Sequence, residues 1–167
     1  MVELITLDTP AEVALWQFAC GIDLAQTLSH DNRPVDDPML WNLDDPRRLD
    51  RKVSDSLWVR VMNVESALSG REYATEGELI LEINDPFQPE RGGTFALSAV
   101  AGVASCTRTE AMADVTMPAR VLGAVYLGGK SLRALVAAGA AAGDRDALRL
   151  FDQMFEWSPR PWCQEVF

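Results

Sequence analysis

The last eleven residues, Trp157-Ser158-Pro159-Arg160-Pro161-Trp162-Cys163-Gln164-Glu165-Val166-Phe167, hold the residue types with the clearest chemical potential. Chain ends are usually polar and frayed. Here two Trp, two Pro and a Cys lead to a terminal Phe. The prolines restrict φ and the aromatic rings call for burial. A docked terminus is therefore expected, and docking would put an α-carboxylate at a defined place. Such a group is either a plug for a core or a catalytic proton carrier.

Other candidates are weaker. His30 is the only histidine. It lies in a polar turn region beside Asp31, where a solvated side chain is expected, and adjacency alone does not make a triad. The pairs Asp36-Asp37 and Asp44-Asp45 stand before prolines, where turn initiation and helix capping account for them. Gly123-Ala124-Val125-Tyr126-Leu127-Gly128-Gly129-Lys130-Ser131 superficially resembles a phosphate loop. Its first glycine is one residue too far from Gly129, and no strand precedes it. A helix end at Gly128 and a new cap at Ser131 explain the stretch without a ligand. Arg120-Val121-Leu122-Gly123-Ala124-Val125 echoes an acyl-CoA pyrophosphate loop but ends on Val and reads as mid-helix. Cys20, Cys106 and Cys163 have no metal-ligand spacing, so a metal site is not expected. Reduced thiols in a cytoplasmic protein are the expectation.

These groups must be carried by an α+β framework. Glu3–Leu7 reads as a short strand. Thr9-Pro10-Ala11-Glu12 announces a helix, with Thr9 as N-cap, Pro10 at N1 and a capping box completed by Glu12; Gly21 ends it. Leu24–Leu28 reads as a second strand. Residues 31–50 are rich in turn formers, with a short helix at 39–43 capped by Asp37, and a domain boundary falls near residue 50. Beyond it, Ser56–Met62 and Glu78–Asn84 alternate as half-buried strands, flanking a short helix at Val64–Ser69. Thr94–Val100 and Val103–Arg108 form a hairpin about Ala101-Gly102, and Val115–Met117 adds a short strand. Helices follow at 118–126, 131–138 and 144–155.

The 167 residues carry a formal net charge of −10, from 15 Lys and Arg against 25 Asp and Glu. That balance argues against nucleic-acid binding and against docking on anionic lipid, and suits a cationic substrate such as an amine. No segment reaches the ~18 apolar residues of a membrane helix, and the N-terminus lacks the features of a signal peptide.

Several stretches together resemble the C-terminal half of the enhanced intracellular survival (Eis) family of acetyltransferases. They are Leu15-Trp16, Asp23-Leu24, Arg33-Pro34-Val35-Asp36-Asp37-Pro38, Asp45-Pro46-Arg47 and Leu57-Trp58-Val59-Arg60. They continue with Glu82-Ile83-Asn84-Asp85-Pro86-Phe87, Tyr126-Leu127-Gly128-Gly129 and the Pro161-Trp162-Cys163 tail ending on Phe167. Each is weak alone; their order and spacing match across essentially the whole chain.

The resemblance implies a three-part protein: a GNAT domain that holds acetyl-CoA, a degenerate GNAT-like domain, and a sterol-carrier-protein-2-like (SCP2-like) domain. Residues 1–50 resemble the end of the second part and 51–167 the third. The implied fold is an SCP2-like sheet with packed helices, preceded by a partial GNAT-like segment. The implied function is acetyl-CoA-dependent N-acetylation of an amine, with no cofactor bound by this chain alone and no activity expected of it in isolation. The α-carboxylate of Phe167 takes the family's role of accepting the amine's proton, with a tyrosine of the absent domain as the acid. Some relatives have an acidic residue immediately before the terminal Phe. Here Val166 stands there, with Glu165 one place further back as the candidate substrate contact. The implied partners are the N-terminal GNAT domain of the same protein, the amine and further copies in a homo-oligomer. Two other readings remain: a stand-alone carrier of an apolar ligand, and a structural or oligomerising module.

Overall fold

The computed structural model describes residues 4–163 and 165. The chain divides into two units, residues 57–161 and residues 1–56 with 162–167.

The larger unit is built on a five-stranded sheet. Its strands are β1 (Gly77–Asn84), β2 (Gly93–Val100), β3 (Val103–Arg108), β4 (Val115–Pro118) and β5 (Ala142–Gly143), in the order β3-β2-β1-β4-β5. All neighbours are antiparallel except β1 and β4, which run parallel with Leu81 opposite Val115. The alternation in Glu78–Asn84 does what period-2 patterning requires. Leu79, Leu81 and Ile83 are buried, while Glu78 and Glu82 face the other side. There Glu78 accepts a hydrogen bond from the Ser98 hydroxyl at 3.0 Å and Glu82 one from Thr116 at 2.9 Å. The expected hairpin is present, and Ala101 (φ 52°) and Gly102 (φ 76°) both take the left-handed conformation its two-residue turn needs.

Four helices complete this unit: α3 (Val64–Ser69), α4 (Ala119–Val125), α5 (Leu132–Ala137) and α6 (Arg145–Phe155), the smaller unit holding α1 (Thr9–Cys20) and α2 (Met39–Asn42). Asn63, Ser131 and Asp144 cap three of them through their side chains. Asp152 of α6 accepts from the Leu132 amide at 2.6 Å, the Ser131 hydroxyl at 2.7 Å and Arg133 Nε at 2.7 Å, so it anchors the start of α5. The core holds Leu68, Leu81, Ile83, Phe95, Leu97, Met117, Leu122, Leu132, Phe151, Met154 and Phe155, each no more than 1 % exposed. Phe151 and Phe155 stack at 3.8 Å between centroids.

Two interactions lock the periphery of this core. Arg71 donates from Nη1 to the Tyr126 carbonyl (2.6 Å), from Nη2 to the Phe155 carbonyl (3.1 Å) and from Nε to the Glu72 carbonyl (3.0 Å). Its Cζ lies 4.2 Å from the Phe155 ring centroid and 4.7 Å from that of Tyr73. Among the described residues no carboxylate pairs with it. Burial pulls its pKa below the ordinary value, and pushes that of Tyr73 up. The second lock is Asp85, 6 % exposed, which accepts from the Phe87 and Gln88 amides at 3.1 Å each and from Arg60 Nη2 at 2.5 Å. Burial alone would raise the Asp85 pKa; Arg60 and the two amides outweigh it and hold it below the usual carboxylate value.

In the smaller unit, α1 spans Thr9–Cys20 and α2 spans Met39–Asn42. A 3-10 turn follows at Pro46–Arg48, capped by Asp45. Asp37 accepts from the Met39 amide at the start of α2, as its sequence position suggests. Arg33 pairs with Asp37 at 2.6 Å and with Glu12 of α1. Arg51 also donates to the Val35 carbonyl. The Arg33-to-Pro38 stretch is thus a clamp for α1.

Several expectations fail in instructive ways. Leu4–Leu7 and Leu24–Leu28 form no strand. Ile5, Leu7 and Leu24 are 70 %, 101 % and 93 % exposed, and apolar residues without a ladder partner do not make a strand. Leu24 also has φ 65°, outside the β region. The cap of α1 is Asp8, one residue earlier than Thr9; its carboxylate accepts from the Ala11 amide at 2.8 Å, and Glu12 turns to Arg33 instead of closing a capping box. Ser56–Met62 is unpaired: its alternation reflects Val59 and Val61 packing inward from an extended segment. The two-residue β5 has no periodicity to betray it.

Both locks generate predictions. Replacing Arg71 by Ala orphans the carbonyls of Tyr126 and Phe155 and is expected to cost about 3 kcal/mol in urea unfolding, with Lys recovering only part because it lacks the planar fork. The Asp85 carboxyl titrates lower in the folded state than in the unfolded chain. Its contribution is present above the ordinary carboxylate pKa and is lost as pH falls through the folded value. Stability is therefore expected to drop below about pH 4, and Asp85→Asn should both lower stability at neutral pH and flatten that acid slope in thermal melts.

Candidate functional site: a cradle for the C-terminal tail

The residues that leave α6 run from Glu156 to Pro161 across the turn that follows α4. The Tyr126-Leu127-Gly128-Gly129 sequence forms that turn. Gly128 adopts φ 83° and its amide donates to the Val125 carbonyl at 2.9 Å, which ends the helix as the glycine predicts. A side chain at Gly128 would collide with the Phe155 carbonyl and stand 3.1 Å from both N and Cβ of Trp157. One at Gly129 would stand 3.0 Å from Cγ and 3.4 Å from Cδ of Pro161. The Gly128 carbonyl accepts from the Trp157 amide at 3.4 Å. The Ser158–Pro159 peptide is cis. Beneath this strip lies Arg71, whose guanidinium holds the last carbonyl of α6 and the carbonyl of Tyr126. The Tyr126 hydroxyl donates to the Ala67 carbonyl at 3.0 Å, and that of Tyr73 to the Leu68 carbonyl at 2.7 Å, so both rings of the cage are themselves fixed to α3.

The tail is therefore docked as far as Pro161, though not by burying its tryptophans. Trp157 and Trp162 each stay 40 % exposed, and the contacts are made by backbone and proline ring. Glu165 is exposed, and its carbonyl accepts from the Cys163 thiol at 3.4 Å. Phe167, named from the sequence as the bearer of a catalytic carboxylate, lies outside the described residues. The glycines of the cradle were visible in the sequence, but only as caps. Arg71 was missed altogether, since an Arg between Gly70 and Glu72 carries no motif.

The remaining candidates resolve into structural roles. His30 is not a solvated turn residue. Both ring nitrogens are buried without a hydrogen-bond partner, its ring meets Trp16 edge-on at 5.8 Å, and burial lowers its pKa, assisted by the nearby Arg33 charge. Asp37 and Asp45 cap a helix and a turn, as turn chemistry suggested. Gly123 sits in α4, where a Cβ would run into the Val59 carbonyl, so the glycine lets the 57–62 segment lie against the helix.

That last point bears on acetyl-CoA. A pyrophosphate needs a loop whose free amides converge on it. The Arg120–Val125 stretch is instead α4, with Val121, Leu122, Gly123 and Val125 buried. It does not fit the cofactor.

Comparison with known proteins agrees with the architecture. The sterol carrier protein domain family matches residues 64–164, and the acetyltransferase (GNAT) domain family matches residues 1–61. An N-acetyltransferase of Streptomyces griseus is 39% identical over 168 residues, covering 99% of this chain and 40% of the relative. The N-acetyltransferase Eis of Mycobacterium tuberculosis is 39% identical over 159 residues, covering 92% of this chain and 38% of its own length. The crystal structure of Eis1 from Mycobacterium abscessus superposes with a TM-score of 0.84 at 28% identity, over 99% of this chain and 42% of that one. The chain thus spans about 40% of the length of the curated relatives it matches. No helix among the described residues is long and apolar enough to cross a membrane. With the sterol carrier match over most of its length, the chain belongs to the sterol carrier protein domain family, that domain being preceded by a GNAT-matching segment and the whole being similar to part of the Eis-like N-acetyltransferases.

Proposed function

We propose that this chain acts as the C-terminal portion of an acetyl-CoA-dependent amine N-acetyltransferase, supplying a scaffold and a proton-accepting carboxylate to an active site completed by a GNAT domain of the same protein. The observation that carries this reading is the cradle: a segment that would ordinarily fray is laid along two glycines and starts from a Phe155 carbonyl held by Arg71. Such an arrangement has a purpose if the tail delivers a group.

In this reading that group is the α-carboxylate of Phe167. An amine is protonated near neutral pH and must lose a proton before it can act as a nucleophile, and a carboxylate held beside it can take that proton. Glu165 is a second negative charge along the same tail, suited to attract a cationic substrate, and the net charge of −10 favours the same encounter. Acetyl-CoA belongs with the GNAT domain in this proposal, because the helical Arg120–Val125 stretch offers it no cradle. A homo-oligomer, as the family resemblance implies, is part of the same proposal.

The stand-alone carrier of an apolar ligand is less well supported. Such a ligand needs room between sheet and helices. Phe95, Met117, Phe151, Met154 and Phe155 fill that space, none more than 1 % exposed.

Deleting Phe167 from the complete protein tests the proposal. Turnover of the amine is expected to fall by about a hundredfold or more, while the KM for acetyl-CoA and the melting temperature stay unchanged. Unaltered turnover would remove the terminal carboxylate from the mechanism.

A further inference from the structure

We infer that Gly129 is a positioning residue for the C-terminal tail, there to leave a side-chain-free track that sets where residues 157–161 run. The link to catalysis rests on the function proposed above; the track itself does not.

Helix termination cannot explain Gly129. Ending α4 needs one residue in the left-handed region, and Gly128 supplies it with φ 83°. Gly129 does not share that positive φ, so its backbone would accept an ordinary side chain. What a side chain would crowd is the tail: a Cβ there would sit 3.0 Å from Cγ of Pro161, which would have to give way. Gly128 carries the corresponding constraint at the start of the tail, against Phe155 and Trp157. Two consecutive glycines therefore face two successive points of one passing segment. The segment starts from a fixed place, because Arg71 holds the Phe155 carbonyl and the Tyr126 carbonyl on one guanidinium. Origin and track together leave residues 157–161 one line of departure.

Pro161 is half-buried at the edge of the unit and can yield. A side chain at Gly129 should therefore lift the tail rather than unfold the domain. The test compares Gly129→Val and the milder Gly129→Ala with Gly102→Ala in the complete protein. Gly102 has φ 76°, and a methyl group added there would meet nothing within 4 Å, so its replacement strains the hairpin without touching the tail.

Hydrogen exchange of the Trp157 amide, which donates to the Gly128 carbonyl at 3.4 Å, is read relative to the amides of α6, alongside steady-state kinetics. In Gly129→Val this tail amide should exchange about tenfold faster or more, with Gly129→Ala between it and the parent and Gly102→Ala unchanged there. If the tail also delivers the proton acceptor, kcat for the amine should fall about tenfold or more at constant KM for acetyl-CoA, because a small misplacement of a reacting group is costly. Faster exchange with unchanged kcat would uphold the track and count against the terminal carboxylate as catalyst. Unchanged tail exchange in both Gly129 variants would overturn the inference, whatever kcat does.

Discussion

A half-buried guanidinium set among carbonyl oxygens and aromatic faces is the constraint on which much of the larger unit depends. Arg71 brings together the chain just after α4 and the last residue of α6, two points far apart in sequence. Tyr73, Tyr126 and Phe155 surround it, and the tyrosine hydroxyls are in turn tied to the end of α3. Three helices are thus referred to one side chain. A lysine could supply the charge but not several directed donors in one plane. The sheet would still bury its apolar face without Arg71, yet the ends of α4 and α6 would lose their common reference and the tail its starting point.

The smaller unit uses the same chemistry with different partners. Arg33 is forked between two carboxylates, Asp37 and Glu12, and its Cζ lies 5.8 Å from the Trp16 centroid. An acidic turn and a helix are joined by one arginine. Asp85 and Arg60 repeat the device in the larger unit, where the Cζ of Arg60 also covers the exposed Phe87 ring at 5.3 Å. Arg33, Asp37 and Asp85 stand in proline-containing turn stretches. Trp16 and Phe87 also fall within stretches that carry the resemblance to the Eis family. Their packing gives such stretches a structural role without any contact to a substrate.

How far the sequence disclosed this architecture depends on the kind of signal. Period-2 alternation over Glu78–Asn84 and the Ala101-Gly102 turn announced the hairpin and the central strand, because both are decided locally. The cap at Ser131 could likewise be read from residue type, whereas those at Asn63 and Asp144 came only with the structure. The same alternation misled at Ser56–Met62, where Val59 and Val61 pack inward from a segment with no ladder. Periodicity reports which side is buried, not what buries it. The cradle lay beyond reach for another reason. Gly128 and Gly129 look alike in a sequence, and only the neighbours of each in space separate a backbone requirement from a clearance requirement. The bonds of Arg71 to Tyr126 and Phe155 span 55 and 84 residues, and it carries no local mark.

Those separations also govern the order in which the fold can be completed during synthesis. Arg71 leaves the ribosome long before Tyr126, and Tyr126 before Phe155. Until α6 has emerged, the guanidinium lacks one of its carbonyl partners and its closest ring face, and water must take their place. Phe151, Met154 and Phe155 are likewise the last large side chains to reach the core. A chain arrested before residue 155 would hold a finished hairpin under an open interior. Closure then waits for the emergence of α6, and the segment that leads into the tail is also the one that seals the domain.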